Sequence, residues 1–386
     1  MLKEERKRYI IIVYFLEGIF YIMGKKILCC CLALCLFLLC GCGGGGTPTL
    51  DISDGFSTSI ASSEVEVIEY EINPLTGLKN ITAEQLALRP VAITINNAVE
   101  SVQTSLTNAD IVYETEVEGG STRLLAVFKD ISLAGQIGPV RSARVVFNDL
   151  AWGHDAMLLH CGLDPNYCAK RFTELGSDHM DINTGLAGVY GFREPNGFAY
   201  EHTMYTSGAK IKEGMSKLEK RTTTEVNSWL KFLPEPEQDA PVVASTTAQT
   251  VRVVFNGGYA NTFEYNKDVG VYQRIRNGNF HMDYKTGARV SFKNIFVLKT
   301  SIKNYADGVH REVSLVGGTG YYISDGKYEE IKWTKGDYNK PLTILKADGS
   351  EFTANAGNSW ICIVNSTART EFTAAPAPAT SSAVAE

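Results

Sequence analysis

Seven turn-forming pairs punctuate the chain between Thr250 and Asn365: Asn256-Gly257, Asn277-Gly278, Thr286-Gly287, Asp307-Gly308, Gly317-Gly318, Asp325-Gly326 and Asp348-Gly349. Short β-branched and aromatic runs separate them. Asn-Gly and Asp-Gly supply the positive φ angles that tight hairpins require. This spacing predicts an all-β region, folded as a sandwich or a partly open barrel.

The preceding region, about residues 71–218, mixes strand and helix signals. Val91–Ile95, Asp110–Val117 and Arg123–Phe128 read as strands, with Gly119-Gly120 as a two-residue hairpin turn. Ser142–Trp152 reads as a helix with Ser142 as its N-cap. A second helix starts at Asp164-Pro165 and stops at Gly176. Ile211–Leu218 is a third. The predicted fold class is therefore α+β followed by all-β. Residues 219–249 are polar and hold Pro234, Pro236 and Pro241. They read as a linker, with a short helix at Val226–Phe232. The all-β region covers 250–366, and 367–386 reads as a disordered tail. The sequence shows no internal repeat and no alternation of strand and crossover helix. That argues against the doubly wound lobes of a solute-binding protein.

The N-terminus sets the expected compartment. Met23-Gly24-Lys25-Lys26 is a positive head, Ile27–Cys40 is apolar, and Leu39-Cys40-Gly41-Cys42 matches a lipobox. The apolar run is short for a membrane span and precedes a cleavage signal, so residues 1–42 read as a removable signal region. Met23 is the expected true start. Diacylglyceryl attachment at Cys42 would supply two acyl chains, enough for stable anchoring. The expected location is the extracytoplasmic face of the cell membrane. Residues 43–70 form a Gly/Ser/Thr-rich tether reaching on the order of 30 Å. Of nine cysteines, only Cys161, Cys168 and Cys362 follow the lipobox, so no disulfide framework is present. A net charge of −6 gives no basic footprint for nucleic acid.

The densest polar cluster is ADIVYETEVEGGSTR, Ala109 to Arg123. Strand alternation puts Glu114, Glu116 and Glu118 on one face. Arg123 lies past the turn, and Arg141, Ser142 and Arg144 stand at the start of a predicted helix. Cations at a helix N-terminus need an anion nearby. Two readings stay open: an ion-pair network with the three glutamates, or an external phosphate, pyrophosphate or carboxylate held between the helix end and the arginines. Asp155, His160 and His202 are weaker candidates. No metal-ligand spacing, nucleophile elbow, phosphate loop or dinucleotide fingerprint is present, so neither metal nor cofactor is predicted. A Cys161–Cys168 disulfide is open if the chain folds back ahead of the Asp164-Pro165 cap.

Several motifs together resemble a family: NPLTGL (Asn73–Leu78), RPVAITINN (Arg89–Asn97), ADIVYETEVEGGSTR, IGPVRSAR (Ile137–Arg144), HTMYTS (His202–Ser207), NIFVLKT (Asn294–Thr300), SDGKYEEIKW (Ser324–Trp333) and NSWICIV (Asn358–Val364). The chain is similar to the YerB-like lipoproteins of Gram-positive bacteria. The resemblance implies two family domains of unknown function on a lipid anchor, and no activity. The expected role is binding or scaffolding: the Glu114–Arg144 region would engage an anionic envelope component or a protein partner. The alternative is an envelope enzyme acting on a phosphate-bearing cell-wall or lipid-linked substrate, with Arg123, Arg141 and Arg144 holding phosphate and a carboxylate such as Glu114 or Glu118 as base or metal ligand. Its likeness to cell-wall polymer transferases lies in residue type alone.

Overall fold

The computed structural model describes residues 68–224, 228–234 and 246–375. The lipobox, the tether up to residue 67 and residues 376–386 lie outside them. Helix is scarce among the described residues. The helices of eight or more residues are α1 (Val145–Gly153), α2 (Cys168–Leu175) and α3 (Gly208–Lys217). None is long and apolar enough to cross a membrane.

The first region contributes β1 (Val91–Asn96), β2 (Ile111–Glu116), β3 (Thr122–Phe128), β4 (Met157–His160), β5 (His179–Asp181), β6 (Phe192–Arg193) and β7 (Met204–Ser207). The later region contributes β8 (Thr246–Thr247), β9 (Thr250–Asn256), β10 (Tyr259–Asn266), β11 (Val271–Arg276), β12 (Asn294–Thr300), β13 (Gly317–Ser324), β14 (Lys327–Lys335), β15 (Leu342–Lys346), β16 (Ser359–Asn365) and β17 (Thr370–Thr373). The fold class is α+β followed by all-β, and the two parts share one sheet. Its order is β8-β14-β13-β12-β16-β2-β3-β1-β4-β5, with β15 beside β14. β16 runs parallel to both β12 and β2 and joins the two regions.

Strand alternation explains the two cores. On one face, Val91, Ile93 and Ile95 of β1 and Trp360, Cys362 and Val364 of β16 share a core with Val251, Val253 and Phe263 of a second sheet built around β9, β10, β11 and β17. On the other face, Ala92, Tyr113, Leu125, Ile361 and Ile363 pack against Val146, Phe147 and Leu150 of α1 and Phe172 of α2. Both faces of the central strands are covered, so they read as continuous apolar runs.

Several expectations are corrected. The helix after IGPVRSAR starts at Val145 with Arg144 as N-cap. The Ser142 hydroxyl donates to the Cys161 carbonyl instead, at 3.1 Å. The next helix starts at Cys168, although Asp164 accepts the Tyr167 and Cys168 N–H groups at 2.7 and 3.2 Å. β4, α2 and β5 form a parallel strand–helix–strand unit, a crossover that sequence reading did not find. The linker is not merely polar. Residues 228–232 carry no helix, and Trp229 and Leu230 are buried in the second core; 225–227 lie outside the described residues. The tail contains β17, an edge strand paired with β9. Its Phe372 stacks on Tyr328 with ring centres 3.7 Å apart, so residues 370–373 are ordered where the sequence reads as a disordered tail.

Residues Val67–Glu386 form one compact unit whose cores are filled by its own side chains, so this body folds without the residues ahead of it. The two regions do not separate in the same way. A fragment ending at Thr224 would lack β16 and expose β2, whose six residues are all buried. An open, apolar strand edge promotes aggregation. Such a fragment is expected to be insoluble alone and soluble when co-expressed with residues 225–386. A soluble, cooperatively melting monomer in size-exclusion and circular dichroism measurements would contradict the shared sheet.

Candidate functional site

The β2–β3 hairpin turns through Glu118–Gly120, where Gly119 and Gly120 have φ of 70° and 73°. Residues with a Cβ rarely adopt this pair of conformations. The turn takes Glu118 out of the strand, so it does not share a face with Glu114 and Glu116. It meets the start of α1 instead. Arg144 Nε donates to Glu118 Oε2 at 2.9 Å, and Arg144 Nη2 bonds Oε1. Arg123 Nη2 lies 3.5 Å from Oε1, and its Nη1 donates to the Ser142 carbonyl at 2.7 Å. Burial opposes the Glu118 charge, but the Arg144 hydrogen bonds and both guanidinium charges outweigh it and lower its pKa to about 2. Burial and the neighbouring Arg144 charge push Arg123 down to about 9, so it stays cationic at neutral pH.

Arg141 differs from these two. Its Nη1 donates to the Glu201 carbonyl at 2.9 Å. Its Nε is buried with no hydrogen-bond partner, and it makes no ion pair within 4.0 Å among the described residues. Burial lowers its pKa, and the Glu201 charge offsets part of that. Beside it, the half-buried Cys161 thiol donates to Asn183 Oδ1 at 3.5 Å. Burial raises the Cys161 pKa, while the charges of Arg193 and Arg141 oppose the rise. Arg193 comes from β6, and no local sequence signal pointed to it. Arg123, Arg141 and Arg144 thus gather around the Glu118 carboxylate, and Arg193 joins Arg141 beside Cys161.

The other candidates lie elsewhere. Glu114 is fully buried on the face toward the second sheet. It accepts from Asn97, Thr122 and Tyr259 at Oε1 (2.9, 2.9 and 2.8 Å) and from Asn261 and Trp360 at Oε2 (2.6 and 3.1 Å). Glu116 pairs with Arg311 at 3.2 Å. Asp155 accepts from Arg221 and Thr224. His160 is buried and shares a 2.9 Å hydrogen bond with His179; burial brings its pKa down to about 4. His202 meets Asn96 at 2.5 Å. Cys161 and Cys168 are both free. Cys161 packs against the core shared with the second sheet and Cys168 belongs to the core under α1, so opposite sides of the sheet keep them apart. Among the described residues no three His, Cys, Asp or Glu side chains converge as metal ligands. A cleft of about 630 Å³ on the outer face of the second sheet includes Arg252, Arg276 and Glu371. Its charges are answered internally, Arg252 by Glu371 at 3.1 Å and Arg276 by backbone carbonyls such as that of Ser101.

Residues 75–222 match the family model described as the N-terminal domain of a protein of unknown function (DUF3048), and residues 251–361 match its C-terminal domain. The chain belongs to the DUF3048 family. A curated relative named "Putative lipoprotein YerB", from Bacillus subtilis (strain 168), is 32% identical over 301 residues, which is 75% of this chain and 85% of the relative. The crystal structure of YerB from Bacillus subtilis matches with a TM-score of 0.66 and 30% identity, covering 78% of this chain and 99% of that one. In this DUF3048 protein the motif IGPVRSAR supplies Arg141, Ser142 and Arg144, and the glutamate-rich hairpin supplies Glu118 and Arg123.

Because its folded pKa is depressed, Glu118 contributes stability above the ordinary carboxylate pKa of 4.5 and loses it as pH falls toward about 2. Glu118→Gln should therefore cost about 2 kcal/mol at pH 7 after solvent screening. Urea denaturation as a function of pH should show the gap to the parent protein closing between pH 4.5 and 2. A gap that does not depend on pH would contradict the ion-pair assignment.

Proposed function

We propose that this is a lipid-anchored envelope protein whose arginine cluster, Arg123, Arg141, Arg144 and Arg193, binds an anionic envelope component. The observation that carries this reading is Arg141. Its guanidinium is partly buried with an unpartnered Nε, in a place where Arg123 and Arg144 add positive charge that Glu201 and Glu118 answer in part. A phosphate or pyrophosphate oxygen would give Nε an acceptor and offset the excess positive charge. The name of the Bacillus relative and the lipobox at Cys42 support the anchor and the extracytoplasmic placement. Glu118 acts as the internal anion that pairs with Arg123 and Arg144.

The enzymatic alternative needs a carboxylate free to act as a base. Glu114 is sealed by five hydrogen bonds, and Glu118 is held by two arginines. Binding without turnover is the better supported reading, and a protein partner is the weaker one because the unanswered group, Arg141 Nε, is a cationic donor.

Calorimetric titration with inorganic pyrophosphate tests the reading. Arg141→Ala should weaken binding by roughly ten- to hundredfold, as expected for loss of one charge-assisted contact, with a stability loss no larger than one hydrogen bond to the Glu201 carbonyl. Glu118→Gln should tighten it, because a competing carboxylate is removed. No binding by the parent protein, or equal binding by Arg141→Ala, would overturn it.

A further inference from the structure

We infer that the face carrying the arginine cluster is a membrane-contacting surface, in which the exposed apolar side chains of residues 185–203 enter the interface of a leaflet whose anionic lipid phosphates meet Arg141 and Arg193. This inference rests on the anion-binding reading above and adds the source of the anion.

Leu186 is 82% exposed, Tyr200 71%, Val189 69% and Phe198 46%. Scattered exposed apolar residues are ordinary, but clustered ones mark contact surfaces. Four of the fifteen large apolar side chains exposed among the described residues fall in this single stretch. They are firmly presented. The turn Leu186–Tyr190 is pinned by buried Tyr190, whose carbonyl accepts from Thr206 Oγ1 at 2.8 Å. The turn Tyr200–His202 is held through the Arg141 bond to the Glu201 carbonyl at 2.9 Å.

One arginine lies inside the stretch, and Lys210 and Arg141 reach it from outside. The Arg193 guanidinium lies 3.4 Å from the centre of the Tyr200 ring, and its Nη1 donates to the Tyr200 carbonyl at 2.7 Å. Lys210 Nζ reaches the Val189 carbonyl at 3.5 Å. Of the two acidic residues in the stretch, Glu194 is tied to Lys285 at 2.8 Å, and Glu201 stands beside Arg141. Tyrosine beside arginine, flanked by aliphatic side chains, suits the headgroup level of a bilayer: the apolar groups enter the acyl boundary and the cations meet phosphate. An acidic protein would answer the cations but would leave Leu186 and Val189 without a fitted groove. A lipid leaflet accommodates both. The predicted anchor at Cys42 lies 25 residues ahead of the body, which keeps the body within reach of the leaflet.

The test uses residues 67–386, which carry no lipobox, in co-sedimentation with vesicles of phosphatidylcholine alone or with about one third phosphatidylglycerol. Partitioning should be roughly tenfold or more stronger onto the anionic vesicles. The double variant Leu186→Ser/Val189→Ser, and separately Tyr200→Ser, should lower it by a similar factor while leaving the melting temperature unchanged. Equal partitioning onto both vesicle types, or parent-like partitioning by the apolar variants, overturns the inference. If vesicles do not bind but inorganic pyrophosphate does, the membrane surface fails and the anion site stands. If neither binds, both fail. Capture of an envelope protein that is lost in Leu186→Ser, with no vesicle binding, would also contradict a lipid occupant.

Discussion

A buried carboxylate with no direct counter-charge organises this molecule. Glu114 and Arg274 are both essentially inaccessible to solvent, and neutral side chains stand between them. Asn97, Asn261 and Tyr259 each donate to the Glu114 carboxylate and accept from the Arg274 guanidinium. Trp360 donates to the same carboxylate and places its ring 4.6 Å from the guanidinium centre. Each bridging group is polarised in one direction, from cation to anion. Isolated buried charges cost several kcal/mol; here the lone pairs and donors of both ends are largely satisfied, which makes the burial tolerable.

The arrangement also spans the two family regions. Glu114 and Asn97 belong to the first family region; Tyr259, Asn261, Arg274 and Trp360 belong to the second. Neither region satisfies its own buried charge alone, and neither completes the central sheet alone. The two therefore form one body. That body gives the arginine cluster a fixed frame: β3 carries Arg123, the segment leading into α1 carries Arg141 and Arg144, and β6 carries Arg193. Glu118 joins them because the Gly119-Gly120 turn releases it from the strand that seals Glu114.

Local features were legible in the sequence. Val91–Ile95 and Arg123–Phe128 each fall one residue short of β1 and β3, Asp110–Val117 overruns β2 by one residue at each end, and the motif NIFVLKT is β12. The alternation that places Glu114 and Glu116 on one face was also readable. Their partners were not, because Tyr259 and Asn261 lie 145 and 147 residues away from Glu114. The parallel seating of β16 between β12 and β2 has the same cause: pairing between distant strands leaves no local mark. The start of α1 was misplaced for a different reason. Arg141 N–H bonds the Thr94 carbonyl and Ala143 N–H bonds the Gly162 carbonyl, so extended pairing continues to Ala143 and delays the helix. Of the candidate site, Arg123, Arg141, Ser142 and Arg144 were legible as residues brought near one another. Arg193 was hidden, since it arrives from β6 with no motif of its own.

A double-mutant cycle between Glu114 and Arg274 tests whether one bridged charge pair joins the two family regions. Urea denaturation of Glu114→Gln, Arg274→Met and the double variant measures the coupling. A single unfolding transition is expected, with single-variant losses of about 3–5 kcal/mol and a double-variant loss smaller than their sum by more than about 1 kcal/mol. Losses additive to within about 0.5 kcal/mol, or separate transitions for the two regions, would contradict that link.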